Sequence, residues 1–361
     1  MVTIQLSNLI EFVADVFKHA ESSAEEALRI ATYLTTANLT GHDSHGVIRV
    51  PVYIRWKKMG SVIPNQTPEI VVDAPSLAVI DGKFGYGQTV APQAVRIGIE
   101  KCRASGLAAV ALRNAGHIGR VGDWAEMAAA EGLVSVHFVN VAGSVLVAPF
   151  GGVERRLSTA PYCVGIPRQG KGPVVLDFAT SLVAEGKVLV ASRGGKKLPK
   201  GALIDLDGNL SDDPAVLYGP YEPDGPRDYS KGKGAIRAFG EHKGSGLALI
   251  CELLGGALTG TGATGTTRRL ANGMLAFYID PGIVDPANFF DAEMSRYIDY
   301  FKNTKPAAGV DAVLIPGEPE AKMRAERTSN GVPLPDDTWA AIVSTAREVG
   351  VSEASIQRAT Q

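Results

Sequence analysis

The chain has 361 residues, 45% of them hydrophobic and 20% charged, with a net charge of -2. That composition describes a globular protein large enough for two lobes sharing a cleft, and it argues against disorder or a strongly polarised binding surface. No basic run or basic-aromatic stripe points to nucleic acid, and the three widely spaced cysteines, without a CxxC, suggest neither a disulfide framework nor a zinc ribbon, which fits a reducing cytoplasm.

Leu9, Phe12, Val13, Val16 and Phe17 recur at helical spacing behind Ser7, a candidate cap for a first helix. The N-terminus lacks a basic region followed by an apolar block, so no signal peptide is expected. Ser22 with Glu25 forms a capping-box pattern that opens a second helix through EALRIATYLTTANL, ending near Gly41. Further on, SLAVIDG reads as a strand, VAPQAVRIGIEKCRASG as a helix, LAAVALRN as a strand and VGDWAEMAAAEG as a helix. From Gly132 to Val153 no Asp, Glu, Lys or Arg occurs. The run is long enough for a membrane span, but its Pro149, His137, Asn140 and central AGS turn favour two buried strands. PVVLDFA is another strand and TSLVAEGKVLVASRGG a helix, followed from 199 to 233 by a Gly-, Pro- and Asp-rich irregular excursion. KGSGLALICELLGGALTG is a nearly all-apolar helix and belongs in a core. The remaining elements are a strand in GMLAFYIDP, an amphipathic helix in FFDAEMSRYIDYFKNT, a strand in DAVLIPG and a closing helix in DDTWAAIVSTAREVG.

Several polar clusters punctuate this α/β pattern. GHDSHGVIRVPVY, from Gly41 to Tyr53, holds His42, Asp43, Ser44, His45 and Arg49. His42 and His45, three apart with Asp43 between them, could ligate a metal from one helical turn, although a third protein ligand is usual and the remaining histidines are far away in sequence. Alternatively His45 with Ser44 could serve as a general acid-base pair and Arg49 could clamp a carboxylate, and a capped, solvated helix end is equally compatible with the spacing. RNAGHIGRVGDW places His117 and Arg120 in a strand-to-helix loop whose following helix offers amides to an anion. Thr159 in LSTAPYCVGIP, His242 and Lys243 in FGEHKGSG, and the turn IPGEPE complete the set. GTGATG, Gly260 to Gly265, has the GxGxxG spacing, but it follows a helix rather than a strand and reads as a loop; no P-loop or GxSxG motif occurs.

In their order along the chain, GHDSHGVIRVPVY, HIGRVGDWAE, APFGGVERRLSTAP, VVLDFATS with EGKV, EHKGSGLALICELLGGALTG and LIPGEPE resemble the malate/L-lactate dehydrogenase family that lacks a Rossmann fold, the sulfolactate dehydrogenase-like group. The resemblance implies a non-Rossmann α/β fold, a mixed sheet covered by helices. It divides the chain into a helical lobe from 1–72 plus 285–361 and a nucleotide- and substrate-binding core from 73–284. It also implies a homodimer that reduces a small 2-oxo acid to an L-2-hydroxy acid with NADH or NADPH, with no metal. On it, His45 donates the proton, Ser44 is its hydrogen-bonded partner, Arg49 and Thr159 bind substrate, and His42 supports them. The cofactor is held by His117, Ile118, Gly119, Arg120 and Val121, by Asn140, by Asp177, Phe178 and Ala179, by His242 and Lys243, and by Pro316, Gly317 and Glu318. Two branches of the group compete. In cyclic imino acid reductases an acid completes a catalytic relay where this chain has Lys187, which favours the hydroxy acid branch; in ureidoglycolate dehydrogenases the acid-base duty falls on the position of His117. The usual TNP reads Thr159, Ala160, Pro161, which makes the expected pocket more apolar. Asp177 suits ribose hydroxyls and so NAD, whereas Arg120 and Lys243 suit a 2′-phosphate.

Overall fold

The computed structural model describes residues 1–192, 197–220, 228–229 and 231–361. The chain begins with β1 (Val2–Ile4), α1 (Leu6–His19), α2 (Ala24–Leu39), two 3-10 turns (Asp43–His45 and Val47–Arg49) and α3 (Val50–Lys58). Next come β2 (Glu69–Ala74), β3 (Leu77–Asp81), α4 (Gly87–Ser105), β4 (Leu107–Ala115), α5 (Gly122–Ala130), β5 (Val134–Val141), β6 (Val147–Ala148), β7 (Pro161–Ile166) and β8 (Val174–Ala179). After α6 (Glu185–Ser192), the short β9 (Leu203–Ile204), β10 (Leu210–Ser211), α7 (Ala215–Tyr218) and β11 (Ala235–Arg237) lead to α8 (His242–Cys251), which continues as π-helix over Glu252–Leu258. The chain closes with β12 (Asn272–Ile279), α9 (Pro281–Val284), α10 (Phe289–Lys302), α11 (Glu318–Asn330), β13 (Val332–Leu334), α12 (Asp336–Val349) and α13 (Glu353–Arg358).

The main sheet has seven strands in the order β2-β3-β4-β12-β5-β7-β8. Only β3 and β4 run parallel, so this is a mixed sheet and not the parallel doubly wound arrangement that a GxGxxG turn serves. Helices α4 and α5 cover one face, and α8 with its π-helical extension covers the other beside β5 and β12. Burial on both sides is why the run through Val134–Val141 can be uncharged without spanning a membrane. No described helix is long and apolar enough to cross one. As the sequence suggests, that run breaks into two strands, of which β6 leaves for a second, four-stranded sheet, β10-β9-β11-β6. A separate apolar core joins α1, α2, α3, α12 and α13, with Leu9, Phe17, Ile30, Leu34, Ile54 and Ile342 inside it. Across it β1 pairs with β13 from the opposite end of the chain.

Several local expectations are corrected. Helix α1 is capped at Gln5, and Ser7 lies within its first turn. Helix α2 is capped by Ser23, whose side chain accepts from the Glu26 amide. The frame shifts by one because Glu26, not Glu25, turns inward, where it accepts from the Asn65 amide and Thr89 Oγ1. TSLVAEGKV becomes helical only at Glu185, since Thr180 is tied back to Thr159 O by its amide; the last three residues of that expected helix lie outside the described residues, as does part of the 199–233 excursion. The described part of the excursion is not irregular throughout but carries β9, β10 and α7. LSTAPYCVGIP contains a strand, β7, that its short apolar run did not announce. DAVLIPG forms no strand; it leads directly into α11. Helix α10 is amphipathic as expected but leaves Phe289, Tyr297 and Tyr300 exposed. Finally, α8 and its extension are not buried all round: small residues such as Ala248, Gly255 and Gly256 face the sheet, and Leu249, Leu253 and Leu258 face outward.

Candidate active site

The His42–Arg49 segment is shaped by Asn38 at the end of α2. Asn38 Oδ1 accepts from the Val47 amide at 2.8 Å, and its Nδ2 donates to Asp43 Oδ1 at 2.6 Å. Gly46 fits beneath that amide only because it lacks a side chain, since a Cβ there would lie 2.1 Å from Asn38 Oδ1. Arg327 on α11 donates to both carboxylate oxygens of Asp43 and to Asn38 O. Asp43 is therefore a strut between helices, and His42 Nε2 lies 3.3 Å from Glu320 Oε1. This arrangement contradicts the metal alternative for His42, Asp43 and His45: the carboxylate is engaged by a guanidinium, and among the described residues no three His, Cys, Asp or Glu side chains group around a point.

Ser44, His45 and Arg49 meet a different set of residues. Ser44 Oγ lies 3.1 Å from His45 Nδ1. The His45 ring stacks on that of His117, with centroids 5.5 Å apart and planes 13° from parallel. Behind His117, Tyr53 OH lies 2.6 Å from its Nδ1 and accepts from Gln88 Nε2 at 2.9 Å. Burial pushes the His45 imidazole well below its ordinary pKa, reinforced by the adjacent His117 ring, against which a second proton would be repelled, and by the charge of Arg49. Burial and Arg49 likewise push His117 down to about 3, and burial raises Tyr53. Both imidazoles are thus neutral near pH 7 in the unliganded site.

Arg49 Nε donates to Ser44 O at 2.6 Å, leaving the two terminal nitrogens for an anion. One of them, Nη2, lies 3.8 Å from Glu185 Oε2, and Glu185 Oε1 accepts from Tyr218 OH. The next residue, Gly186, packs on Ser44, where a Cβ would come within 2.7 Å of Ser44 Cβ. Glu185, Tyr218, Tyr53 and Gln88 were not among the residues expected from sequence. Glu185 stands two positions before Lys187 in EGKV, and helix phase alone decides between them: Glu185 faces Arg49, and Lys187 is exposed.

Most of the other expected site residues lie at one end of the main sheet, near Ala115, Pro161 and Ala179, whereas the Pro316, Gly317, Glu318 turn lies at the opposite end, by the start of β8. Thr159 is partly exposed and accepts from Thr180 through its carbonyl, beside Ala160 at a φ of 29°. His117, Ile118, Gly119, Arg120 and Val121 connect β4 to α5, with the Ile118 amide donating to Asn272 Oδ1 at 2.9 Å. The Gly122 amide at the start of α5 donates to Asp177 Oδ2 at 2.7 Å, and burial raises the Asp177 carboxyl. Phe178 makes an edge contact with Phe239 at 5.2 Å, next to Ala179. His242 and Lys243 open α8 and are exposed. Pro316 O accepts from the Val175 amide at 3.2 Å, which docks the Pro316, Gly317, Glu318 turn against β8, while Glu318 accepts from Lys302 and the Ile315 amide.

Two residues of that set are engaged elsewhere. Arg120 is 2% exposed and pairs with Asp123 and Glu126, both at 2.8 Å, so its charge is not free for a 2′-phosphate. Asn140 is fully buried; its Nδ2 donates to Glu252 Oε2 and Gly262 O, and its Oδ1 accepts from the Gly273 amide. It braces the floor of the site rather than facing into it.

A family model described as malate/L-lactate dehydrogenase matches residues 4–343. Hydroxycarboxylate dehydrogenase B of Escherichia coli O157:H7 is 39% identical over 353 residues, 97% of this chain and 95% of that one. Among solved structures, sulfolactate dehydrogenase from Methanocaldococcus jannaschii superposes with a TM-score of 0.84 at 31% identity, covering 100% of both chains. Delta1-piperideine-2-carboxylate reductase from Pseudomonas syringae pvar. tomato superposes with a TM-score of 0.78 at 28% identity, covering 97% of this chain and 100% of that one.

Proposed function

We propose, from the premise that the chain belongs to the malate/L-lactate dehydrogenase family, that this 2-hydroxy acid dehydrogenase reversibly reduces a small 2-oxo acid to the L-2-hydroxy acid using NADH or NADPH. The observation that carries the reading is the convergence of the Ser44–His45 pair on Arg49, whose terminal nitrogens make no hydrogen bond to any described residue. Fit to a dinucleotide rests on Asp177: one carboxylate oxygen is taken by the Gly122 amide, and the other meets no donor among the described residues, as an acceptor for ribose hydroxyls requires. The exposed Lys243 at the head of α8 suits the pyrophosphate. The bound nicotinamide supplies the hydride.

The chain's own groups do the rest. Arg49 takes the substrate carboxylate in a two-nitrogen grip, which fixes the face that C2 presents. Its Nε bond to Ser44 O locks the guanidinium to the same segment that carries His45. His45 gives its Nε2 proton to the carbonyl oxygen as negative charge develops there, and takes it back in oxidation. Ser44 holds Nδ1, which fixes the ring and its tautomer. The substrate carboxylate also neutralises Arg49, one of the charges that keeps His45 from protonating, so binding readies the acid. His117, stacked beneath His45 and held by Tyr53, supports this pair rather than replacing it. Thr159 contributes a hydroxyl at the pocket wall. The cleft lies between the helical lobe, 1–72 with 285–361, and the core, 73–284. Exposed Leu249, Leu253 and Leu258 support a homodimer.

The test is the kcat/KM for NADH and for NADPH against a panel of 2-oxo acids. Absence of turnover throughout would overturn the reading. The likeness to a piperideine carboxylate reductase makes a cyclic imine the second reading, and a ketimine in the same panel decides between them.

A further inference from the structure

Resting on the hydroxy acid reading above, we infer that Glu185 sets the substrate class: the site takes 2-oxo monocarboxylates with an uncharged remainder and turns away those with a second anionic group. Arg49 and Glu185 are both largely shielded, their side chains 18% and 20% exposed, and Oε2 lies 3.8 Å from Nη2. Tyr218 OH donates to the other oxygen of Glu185, so the carboxylate is held in place from behind. The first turn of α6 cannot slide further toward the site, because Gly186 already packs against Ser44.

The charge count around His45 then decides the outcome. Besides Arg49, the positively charged or chargeable side chains that act on His45 are His117, His42 and Arg120. His117 is held neutral, His42 faces Glu320, and Arg120 is paired with Asp123 and Glu126. A substrate's first carboxylate takes the two terminal nitrogens of Arg49, which make no hydrogen bond to a described residue although Nη2 faces Glu185. A second anion a few carbons along the substrate meets Glu185, with no unpaired cation among these residues to offset it. Two unit charges about 5 Å apart at an effective dielectric near 20 repel by more than a factor of ten in binding. A hydroxyl or other neutral donor at the same place is instead welcome, since a carboxylate is an acceptor.

The experiment compares kcat/KM for pyruvate and for oxaloacetate in the full-length wild-type enzyme and in Glu185→Gln, with saturating reduced cofactor. Glutamine keeps the shape and still accepts from Tyr218. The wild type is expected to favour pyruvate about tenfold or more, and E185Q to move the ratio toward oxaloacetate by about tenfold. Tyr218→Phe, which removes the donor behind the carboxylate, shifts the ratio in the same direction by less. A wild-type preference for oxaloacetate overturns the inference. So does an E185Q effect of equal size on both substrates, the pattern expected if Glu185 only orients Arg49. Turnover with an unmoved ratio defeats the role of Glu185 alone, whereas no turnover with any 2-oxo acid defeats the dehydrogenase reading and this inference with it.

Discussion

His137 offers a quantitative test of how the main sheet is built. It sits in β5, fully buried, with Nε2 3.0 Å from Ser135 Oγ, Nδ1 without a partner and Tyr278 edge-on at 6.0 Å. Burial pushes its pKa down to about 3. The folded protein keeps the ring neutral while the unfolded chain takes up a proton below about pH 6.5, so stability present above that value is lost as pH falls toward the folded value. Between about pH 7.5 and about pH 5.5 the loss from this one group is RT ln 10, about 1.4 kcal/mol. His137→Leu removes it. The lost bond to Ser135 changes stability by the same amount at both pH values and cancels. Urea unfolding, followed by the fluorescence of Trp56, Trp124 and Trp339 at fixed protein concentration, reads the difference. The variant should lose about 1.4 kcal/mol less than the wild type across that interval. Equal losses would mean that His137 is solvated or charged in the folded sheet, and the description of β5 as covered on both faces would be wrong.

The catalytic assignments make sharper demands. His45→Asn should lower kcat for reduction by about 10²–10⁴ while dinucleotide affinity, measured by fluorescence titration, persists; retained kcat there with loss in His117→Asn would transfer the acid-base role to His117. Gly186→Ala drives a methyl into Ser44 and should cut kcat/KM by about tenfold or more, with a small change in Tm, because the clash lies at the Ser44–His45 pair and not in a core; normal kinetics would show that α6 yields freely. Since the His45 pKa is lowered, the protonated fraction needed for reduction rises as pH falls through the acid range, and the neutral form needed for oxidation saturates toward neutral pH. Initial rates in both directions against pH check this, and a reduction rate that climbs between about pH 7 and about pH 9 would contradict it.

What the sequence by itself determined are the features written in short-range pattern. The 3.6-residue recurrence of apolar side chains marks α1, α2 and α12, and uncharged, largely apolar runs, valine-rich in β5, mark β5 and β12, because which face is buried repeats within a few residues. The Ser44, His45, Arg49 grouping is likewise local, since one pair of 3-10 turns brings all three together. Tertiary structure decided everything that depends on a distant partner. Asn140 looks like a ligand in its motif, yet Glu252 and Gly262, more than a hundred residues away, take it; Arg120 is instead taken by Asp123 and Glu126, close to it in sequence, through a pairing that spacing alone did not announce. DAVLIPG has the composition of a strand but finds no neighbour to pair with, and β1 becomes a strand only because β13 returns to it. The choice of Glu185 over Lys187 as the residue facing Arg49 hangs on where α6 starts, and that is fixed by Thr180 bonding back to Thr159 and by Gly186 fitting against Ser44. A polar side chain's role is set by what it can reach, and reach is a property of the folded chain.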